Sequence, residues 1–407
     1  MKFLFSHRNF PGQFKHILLE LSKNPENEIV FITGTKNDRF INGVKKYEYK
    51  LKREIPKDCH RYLRFSEDGI IHGQAAAELA IRLQQQGFKP DVIYTHAWGN
   101  GMFFKDIFPD TPLINFCEWY YNSENSDVDF TNKDVSIDKK ANIRCKNANL
   151  LLELIGCDKG ICPTQWQKSQ FPKILQDKIT VLHDGIDTDY FVPDSEATLK
   201  IPDTDLVFSA KDEIVTYATR GMEPYRGFPQ FMKMAEMLLK KRPNTHVIIA
   251  GEDRVCYGAK LVNGSYKKLM LDNLDLDMSR VHFTGPLPYS EYRKLLQISS
   301  AHVYLTIPFV LSWSMLEAMS AGCCIVASKT APVEEVMIDK KNGILTDFFN
   351  ISELLRNVEY VLDNQDKVQS IREEARKTIV ERYNIKDLLP KILDVIYTTA
   401  KTKVTLG

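Results

Sequence analysis

One stretch, residues 302–345, limits what this chain can fold into more than any other. Residues 302–306 and 323–328 are short apolar runs typical of buried strands. Between them, residues 308–312 begin with a proline and are too short for anything but a turn, whereas residues 313–321 have the apolar spacing of a helix. This order predicts two parallel strands of a doubly wound sheet, which binds ligands beyond the carboxyl ends of its strands.

The turn and the helix of this stretch suit a nucleoside diphosphate. The turn at 310–312 would bring backbone N–H groups and the positive end of a helix to one point, which attracts phosphate. Glu317 follows within the helix, and its carboxylate could accept hydrogen bonds from the two neighbouring hydroxyls of a ribose. The alternative is a helix glutamate exposed to solvent, which is the commoner environment for this residue type.

The same stretch resembles the donor-binding segment of the family 4 glycosyltransferases, which are retaining enzymes with the GT-B fold. Their pattern contains two glutamates, and residues 316–322, Leu-Glu-Ala-Met-Ser-Ala-Gly, match the half around the second one. Phe309 stands where the family has its first glutamate, which contacts hydroxyls of the donor sugar. The loop glycines of the family are also replaced. The resemblance implies that the donor contacts Glu317 and the loop residues Phe309, Leu311, Ser312 and Trp313.

A short loop, His-Arg-Asn-Phe-Pro-Gly, joins the first predicted strand at 2–6 to a helix over 13–22. In a doubly wound sheet this loop faces the ligand crevice, and an ordinary tight turn is the alternative. The loop resembles a family 4 subgroup that begins His-x-Asn-Phe-Pro-Gly-Gln-Phe, and the likeness extends along most of the first 190 residues. It implies that Arg8 and Asn9 lie on the acceptor side and that Gly12 contacts the donor.

Two further predicted strands of the N-terminal half, 91–95 and 113–116, end in polar or aromatic residues at the same edge. His96 follows the first of them and matches a histidine that the family holds close to the donor sugar. A histidine buried only for packing is the alternative. Glu118 and Trp119 follow the second strand, and they would offer a carboxylate and an aromatic face to the acceptor.

Arginines occupy two loops of the C-terminal half that follow predicted strands. Arg220 and Arg226 lie between a strand at 214–218 and a helix at 228–239. Guanidinium groups bind phosphate oxygens in pairs and stay charged, and the family places an arginine and a lysine on this loop. Arg254 follows the strand at 246–250 and is a candidate for contact with phosphate or base. Exposed arginines without a ligand are the alternative for all three.

Composition excludes several other classes of protein. A net charge of +1 over 407 residues argues against nucleic-acid binding, and no apolar run is long enough to span a membrane. The eight cysteines contain no Cys-x-x-Cys pair, and the Asp-x-Asp triplets fall in loops, so neither a metal nor another cofactor is predicted. The N-terminus lacks a signal-peptide pattern, which together with reduced thiols predicts a cytoplasmic protein.

A basic run spans residues 36–64, with several tyrosines among its lysines and arginines. Such runs are usually solvated faces. The alternative is peripheral contact with anionic lipid headgroups at the inner face of the membrane, which would suit an enzyme with a lipid-linked acceptor.

The sequence therefore predicts an α/β protein of the GT-B class, with two doubly wound Rossmann-like domains facing each other across a cleft. Residues 1–190 would form the acceptor-side domain and residues 206–385 the donor-binding domain, joined by a linker at 193–205, with a helix at 386–407 packing back on the first domain. The resemblance implies a retaining, metal-independent glycosyltransferase that uses a UDP or GDP sugar in polysaccharide synthesis, with His96, Arg220 and Arg226 as catalytic residues. A glycan or a lipid-linked sugar would be the acceptor. The alternatives are a non-catalytic nucleotide-binding module and a GT-B sugar-nucleotide epimerase or hydrolase.

Overall fold

The computed structural model describes residues 1–34 and 36–402, and the chain divides into two compact units. The N-terminal unit comprises Met1–Asp184 together with the chain from Lys386 onward, and the C-terminal unit comprises Gly185–Ile385. Each unit is built on one parallel sheet with helices in its connections. This confirms the predicted fold class of two doubly wound α/β domains.

The sheet of the N-terminal unit has the strand order β3-β2-β1-β4-β5-β6-β7, and all neighbouring strands are parallel. The order changes direction between β1 and β4, so the loops after these two strands flank the topological switch point. The strands are β1 (Lys2–Ser6), β2 (Glu28–Thr33), β3 (Val44–Glu48), β4 (Val92–His96), β5 (Leu113–Phe116), β6 (Lys159–Cys162) and β7 (Ile179–Val181).

Helices occupy the connections of this sheet, and several of the longer ones bury apolar side chains against it. They are α1 (Lys15–Leu21), α2 (Arg64–Gln85), α3 (Phe104–Ile107), α4 (Asp127–Phe130), α5 (Ile137–Lys146), α6 (Ala148–Gly156), α7 (Gln165–Ser169), α8 (Lys173–Gln176) and the C-terminal α16 (Ile385–Ala400). Ile392 and Ile396 of α16 are buried among the phenylalanines of β1 and β2. Residues 403–407, the end of the helix predicted at 386–407, lie outside the described residues.

The main sheet of the C-terminal unit has the order β12-β11-β10-β13-β14-β15, again parallel throughout. Its switch point lies between β10 and β13. A separate antiparallel hairpin precedes this sheet and is formed by β8 (Thr198–Lys200) and β9 (Val207–Ser209). The strands of the main sheet are β10 (Ile214–Gly221), β11 (His246–Glu252), β12 (Val281–Gly285), β13 (Ala301–Tyr304), β14 (Ile325–Ser328) and β15 (Ile344–Thr346).

The helices of the C-terminal unit follow its strands in alternation and continue to the end of the unit. They are α9 (Phe228–Lys241), α10 (Tyr266–Asn273), α11 (Tyr289–Gln297), α12 (Trp313–Ser320), α13 (Ala331–Glu334), α14 (Ile351–Asp363) and α15 (Gln369–Arg382). Helix α12 is buried over most of its length, because Met315, Leu316 and Met319 pack into the core of this unit.

Three local features differ from the expectations. Residues 193–205, predicted as a linker, lie in the C-terminal unit and contain β8, whose Leu199 is fully buried. The basic run contains the edge strand β3, which its many charged residues concealed. Helix α2, which no pattern above predicted, includes Gly69 and Gly73, although glycine weakens helical propensity. A Cβ on Gly73 would lie 2.6 Å from the carbonyl oxygen of Gly99, so this glycine permits close packing.

Candidate functional site

The switch point of the C-terminal unit brings together the loops that follow β10 and β13. These two strands are neighbours in the sheet, with Tyr217 opposite Val303. The loop after β10 carries Arg226 in a short 3-10 turn, and the loop after β13 leads directly into α12. Parallel sheets bind ligands at this position because two adjacent loops diverge there and leave a crevice.

Arg226 is held against the loop that precedes α12. One of its terminal nitrogens, Nη1, donates to Oγ1 of Thr306 at 2.8 Å and to the carbonyl oxygen of Val310 at 3.2 Å. The guanidinium also lies over the ring of Tyr257, 5.6 Å from the ring centroid. These contacts hold a positive charge beside the start of α12.

The start of α12 adds a second source of positive potential. Ser312 is the N-cap residue, and its hydroxyl accepts a hydrogen bond from the backbone N–H of Ser314 at 3.3 Å. The backbone N–H of Ser312 donates to the hydroxyl of Tyr304 at 3.1 Å, which anchors the turn to β13. The N-terminal end of the helix dipole and Arg226 therefore act on the same small volume, which favours an anion.

Glu317 lies one helical turn further along α12, and its side chain is buried. Its carboxylate accepts a hydrogen bond from the hydroxyl of Tyr289, at the start of α11. Tyr289 in turn stacks on Tyr190, with ring centroids 5.5 Å apart and planes 9° from parallel. Burial and the charge of Glu317 raise the pKa of Tyr289, so Tyr289 remains a hydrogen-bond donor. The carboxylate thus has a tyrosine hydroxyl as a partner within this unit.

Arg220 and Arg254, the other two candidate arginines of the C-terminal unit, are not held against the loop before α12 as Arg226 is. Arg220 is exposed near the end of β10. Arg254 pairs with Glu252 at 2.6 Å, and both side chains are more than two-fifths exposed, so this ion pair holds Arg254 only weakly. Leu311 is buried and Trp313 is 41% exposed, so only Trp313 of these two loop residues offers a large accessible surface.

Sequence reasoning missed Glu223, a buried carboxylate in the loop after β10. Its side chain has no exposed surface, and one oxygen accepts from the backbone N–H groups of Cys256 at 2.6 Å and Tyr257 at 2.7 Å. Burial raises the pKa of Glu223, while these two backbone donors oppose the change. Glu223 thus ties the loops after β10 and β11 together. Its position directly before Pro224 in a loop gave no sign of this role.

The N-terminal unit has a second cluster at its own switch point, between β1 and β4. The rings of His7 and His96 meet edge to face, with centroids 4.6 Å apart. Gln13 connects this pair to β5, because its Nε2 atom lies 3.4 Å from Nε2 of His96 and 3.0 Å from a carboxylate oxygen of Glu118. The sequence did not single out Gln13, although it follows the loop that contains Gly12.

His96 is 1% exposed, and its pKa is well below the ordinary value for histidine. Burial is the main cause, and the positive charges of His7 and Arg8 add to it. The imidazole is therefore neutral near pH 7. A neutral ring can donate from one nitrogen and accept at the other, so it can bind a hydroxyl but does not neutralise a phosphate.

The remaining residues predicted in this unit have structural partners. Arg8 pairs with Asp68 and donates to the carbonyl oxygen of Trp98 at 2.8 Å, so it supports the loop after β4. The backbone N–H of Asn9 donates to Nδ1 of His7 at 2.8 Å. Trp119 is only 4% exposed and packs near Trp166, which gives it a core environment rather than the accessible face expected for an acceptor.

The glycine predicted to contact the donor, Gly12, has a φ of +54°. A Cβ built on it would lie 2.9 Å from Nδ1 of His7. Glycine is therefore required by the backbone conformation and by the close approach of the imidazole. The local fold alone therefore explains why glycine occupies this position, without any contact to a ligand.

Three further observations bear on metals and membranes. Among residues 1–34 and 36–402, no group of three or more His, Cys, Asp or Glu side chains is arranged to hold a metal ion. Across those same residues, no helix has the length and apolar character needed to cross a lipid bilayer. Within the basic run, several cations pair with carboxylates of the same unit: Lys45 with Glu28, Lys52 with Glu78, Arg53 with Glu67 and Arg61 with Asp138.

Comparisons with known proteins agree with this architecture. Residues 25–191 match the family model described as Glycosyl transferase family 4 group, and residues 204–378 match the one described as Glycosyl transferases group 1. An uncharacterized glycosyltransferase of Methanocaldococcus jannaschii is 30% identical over 107 residues, which are 26% of this chain and 27% of that protein. The uncharacterized glycosyltransferase YqgM of Bacillus subtilis is 23% identical over 173 residues, which are 42% of this chain and 45% of that protein. The chain thus spans less than half the length of the curated relatives it matches.

Solved structures share the fold over nearly the whole chain. HepE of Anabaena in complex with UDP-glucose has a TM-score of 0.69 and 15% identity, covering 98% of this chain and 100% of that one. Sucrose-phosphate synthase of Thermosynechococcus elongatus has a TM-score of 0.70 and 12% identity, covering 98% of each chain. These likenesses show the GT-B fold. The two family matches fall almost wholly one in each Rossmann-like unit, so each unit resembles a glycosyltransferase domain.

Proposed function

We propose that this protein is a retaining glycosyltransferase that takes its sugar from a UDP or GDP sugar and requires no metal ion. The observation that carries the proposal is the convergence of Arg226 and the start of α12 at the switch point of the C-terminal unit. A fixed guanidinium and a helix N-terminus together favour a diphosphate, and Glu317 one turn further along suits the ribose attached to it.

The chemistry assigned to these groups is electrostatic stabilisation of the leaving group. Breaking the glycosidic bond leaves negative charge on the diphosphate, and Arg226, assisted by Arg220, would stabilise that charge more in the transition state than in the ground state. His96, being neutral, would bind a hydroxyl of the sugar. The leaving phosphate itself would accept the proton of the attacking hydroxyl, so no nucleophile from the protein is needed.

The acceptor is proposed to be a glycan or a lipid-linked sugar, used in the synthesis of a cell-surface polysaccharide. Glu118 is the best-supported group on the acceptor side, because Gln13 holds it next to His96 while its side chain remains partly accessible. UDP sugars should be tested first, since HepE, which shares the fold, was solved with UDP-glucose.

The test is a donor screen with the intact chain. Purified protein is incubated with UDP, GDP and ADP sugars, with and without oligosaccharide acceptors, and released nucleoside diphosphate and anomeric configuration are measured by NMR. We expect one donor to be consumed with retention. Arg226→Gln should lower turnover by about tenfold or more, whereas Arg356→Gln, exposed on α14, should not change it.

The same screen separates the alternatives. An epimerase or hydrolase would convert the donor fully without an acceptor. A nucleotide-binding module, which the buried Phe309 in place of a carboxylate favours, would bind a nucleotide and transform no donor. Either result would overturn the assignment of transferase activity.

A further inference from the structure

Three aromatic rings meet at the carboxyl ends of β10, β11 and β13. We call Tyr225, Tyr257 and Phe309 the aromatic cluster. The ring centroid of Phe309 lies 5.0 Å from that of Tyr257 and 5.6 Å from that of Tyr225, and the two tyrosine rings lie 6.4 Å apart. Phe309 is 7% exposed, whereas both tyrosines are half-buried, so the tyrosines present more accessible surface than the phenylalanine does.

The cluster is held in place by its backbone. Glu223 accepts from the backbone N–H of Tyr257 at 2.7 Å, and the carbonyl oxygen of Tyr225 accepts from the backbone N–H of Ile307 at 3.1 Å. Gly258 has a φ of +81°, and a Cβ on it would lie 2.8 Å from the ring of Tyr225. The rings therefore form a pre-organised surface, which binds at a lower entropic cost than mobile side chains do.

The aromatic cluster adjoins the proposed diphosphate site. The guanidinium of Arg226 lies 5.6 Å from the ring centroid of Tyr257 and bonds to Val310, the residue after Phe309. In a nucleotide sugar, the sugar ring is attached directly to the terminal phosphate. A phosphate bound at Arg226 would thus bring the sugar to the edge of these rings.

The apolar rings of the cluster determine which face of a sugar can bind to them. A pyranose has a face of C–H groups, which packs well on an aromatic ring, and hydroxyls around its rim. A hydroxyl directed at Phe309 would lose its water without gaining a hydrogen-bond acceptor, which is unfavourable. The C–H face is therefore the part that the cluster can accept.

We propose that the aromatic cluster holds the sugar of the donor by stacking on its C–H face, and so replaces binding through a carboxylate at this position. The inference rests on the proposed function, because it places the diphosphate at Arg226. This proposal makes Phe309 and Tyr225 determinants of affinity for the sugar but not for the nucleotide.

Calorimetric titration of the intact protein tests this, with each nucleotide sugar compared with its own nucleoside diphosphate. In Phe309→Leu, which keeps an apolar side chain but removes the ring, we expect affinity for the nucleotide sugar to fall about threefold to tenfold while affinity for the diphosphate stays within about twofold. Tyr225→Leu should behave alike, and Tyr225→Phe should lose less than Tyr225→Leu. Tyr360→Leu, at an exposed site on α14, serves as the matched control and should change neither affinity.

The outcomes separate the two proposals. If wild type binds a diphosphate and both leucine variants bind the nucleotide sugar as tightly as wild type does, the stacking proposal is wrong and the donor site stands. Equal losses for sugar and diphosphate would also contradict stacking, since they indicate a disturbed phosphate site. If wild type binds no diphosphate or nucleotide sugar, both proposals fail. Circular dichroism and melting temperature establish that each variant is folded.

Discussion

A buried carboxylate behind the loop at 96–101 makes the stability of the N-terminal unit depend on pH. Glu153, on α6, is 4% exposed and accepts from the backbone N–H of Gly101 at 3.0 Å and from Nδ2 of Asn115 at 3.3 Å. Burial raises its pKa from 4.5 to about 7, although these hydrogen bonds oppose the change. The residue anchors the loop that follows His96, so its ionisation affects the site as well as the fold.

The direction and the size of this pH dependence follow from the difference in proton binding between the folded and the unfolded chain. Between pH 4.5 and about pH 7 the folded chain keeps a proton that the unfolded chain has released, so the free energy of unfolding falls as pH rises through this interval. The stabilisation is complete below pH 4.5 and lost above about pH 7. At about 1.4 kcal/mol per pH unit, the interval corresponds to about 3 kcal/mol.

Glu153→Gln removes this titration while keeping a carbonyl oxygen for the N–H of Gly101. We expect the variant to lose about 1 kcal/mol from one weakened hydrogen bond, independent of pH. Between pH 5 and pH 8, its unfolding free energy should then gain about 2 to 3 kcal/mol relative to wild type. Urea unfolding followed by tryptophan fluorescence reports mainly on this unit, because three of the four tryptophans, Trp98, Trp119 and Trp166, lie within it.

The control is Glu26→Gln, on an exposed turn of the same unit, which should keep the wild-type dependence on pH. Parallel stability curves for wild type and Glu153→Gln from pH 5 to pH 8 would refute the reasoning. They would mean that the buried carboxylate is not the group that couples folding to protons in this range.

Three further changes test other parts of the account. Gly12→Ala should lower the melting temperature of the N-terminal unit more than Gly87→Ala does, because both glycines have positive φ but only the new Cβ at Gly12 meets a neighbour, His7; equal losses would exclude the contact. The transfer rate should lack a rising limb near pH 6.5 from His96, whose pKa lies well below that; a limb that disappears in His96→Gln would contradict a neutral imidazole. Thr164→Ala should reduce unfolding free energy by about 1 kcal/mol, since its hydroxyl caps α7, and unchanged urea midpoints would argue against the cap.

The positions of the site loops could be predicted from sequence because they depend on strand order and helix spacing. Apolar runs located β13 and β14, and the rule for parallel sheets then placed the loop with Arg226 beside the start of α12. The contacts of Arg226 with Thr306 and Val310 could not be predicted, because they depend on the direction of a long side chain and not on its position in the chain.

The features that sequence reasoning missed involve polar residues whose burial is decided by packing. Glu223 and Glu153 resemble ordinary surface carboxylates in sequence, yet both are buried by elements distant along the chain. Trp119 was expected to be accessible because it follows a strand, but it turns into the core. The edge strand β3 was hidden because edge strands tolerate charged residues that central parallel strands do not.

The most direct test of the central claim is calorimetric titration of UDP, GDP and ADP into the intact protein and into Glu317→Gln. We expect one diphosphate to bind wild type and to bind Glu317→Gln about tenfold to a hundredfold more weakly, since hydrogen bonds between a carboxylate and the ribose hydroxyls would be lost. Glu381→Gln, exposed on α15, should bind as wild type does. If no diphosphate binds, or if Glu317→Gln binds as tightly as wild type, the switch point of the C-terminal unit is not the donor site that we propose.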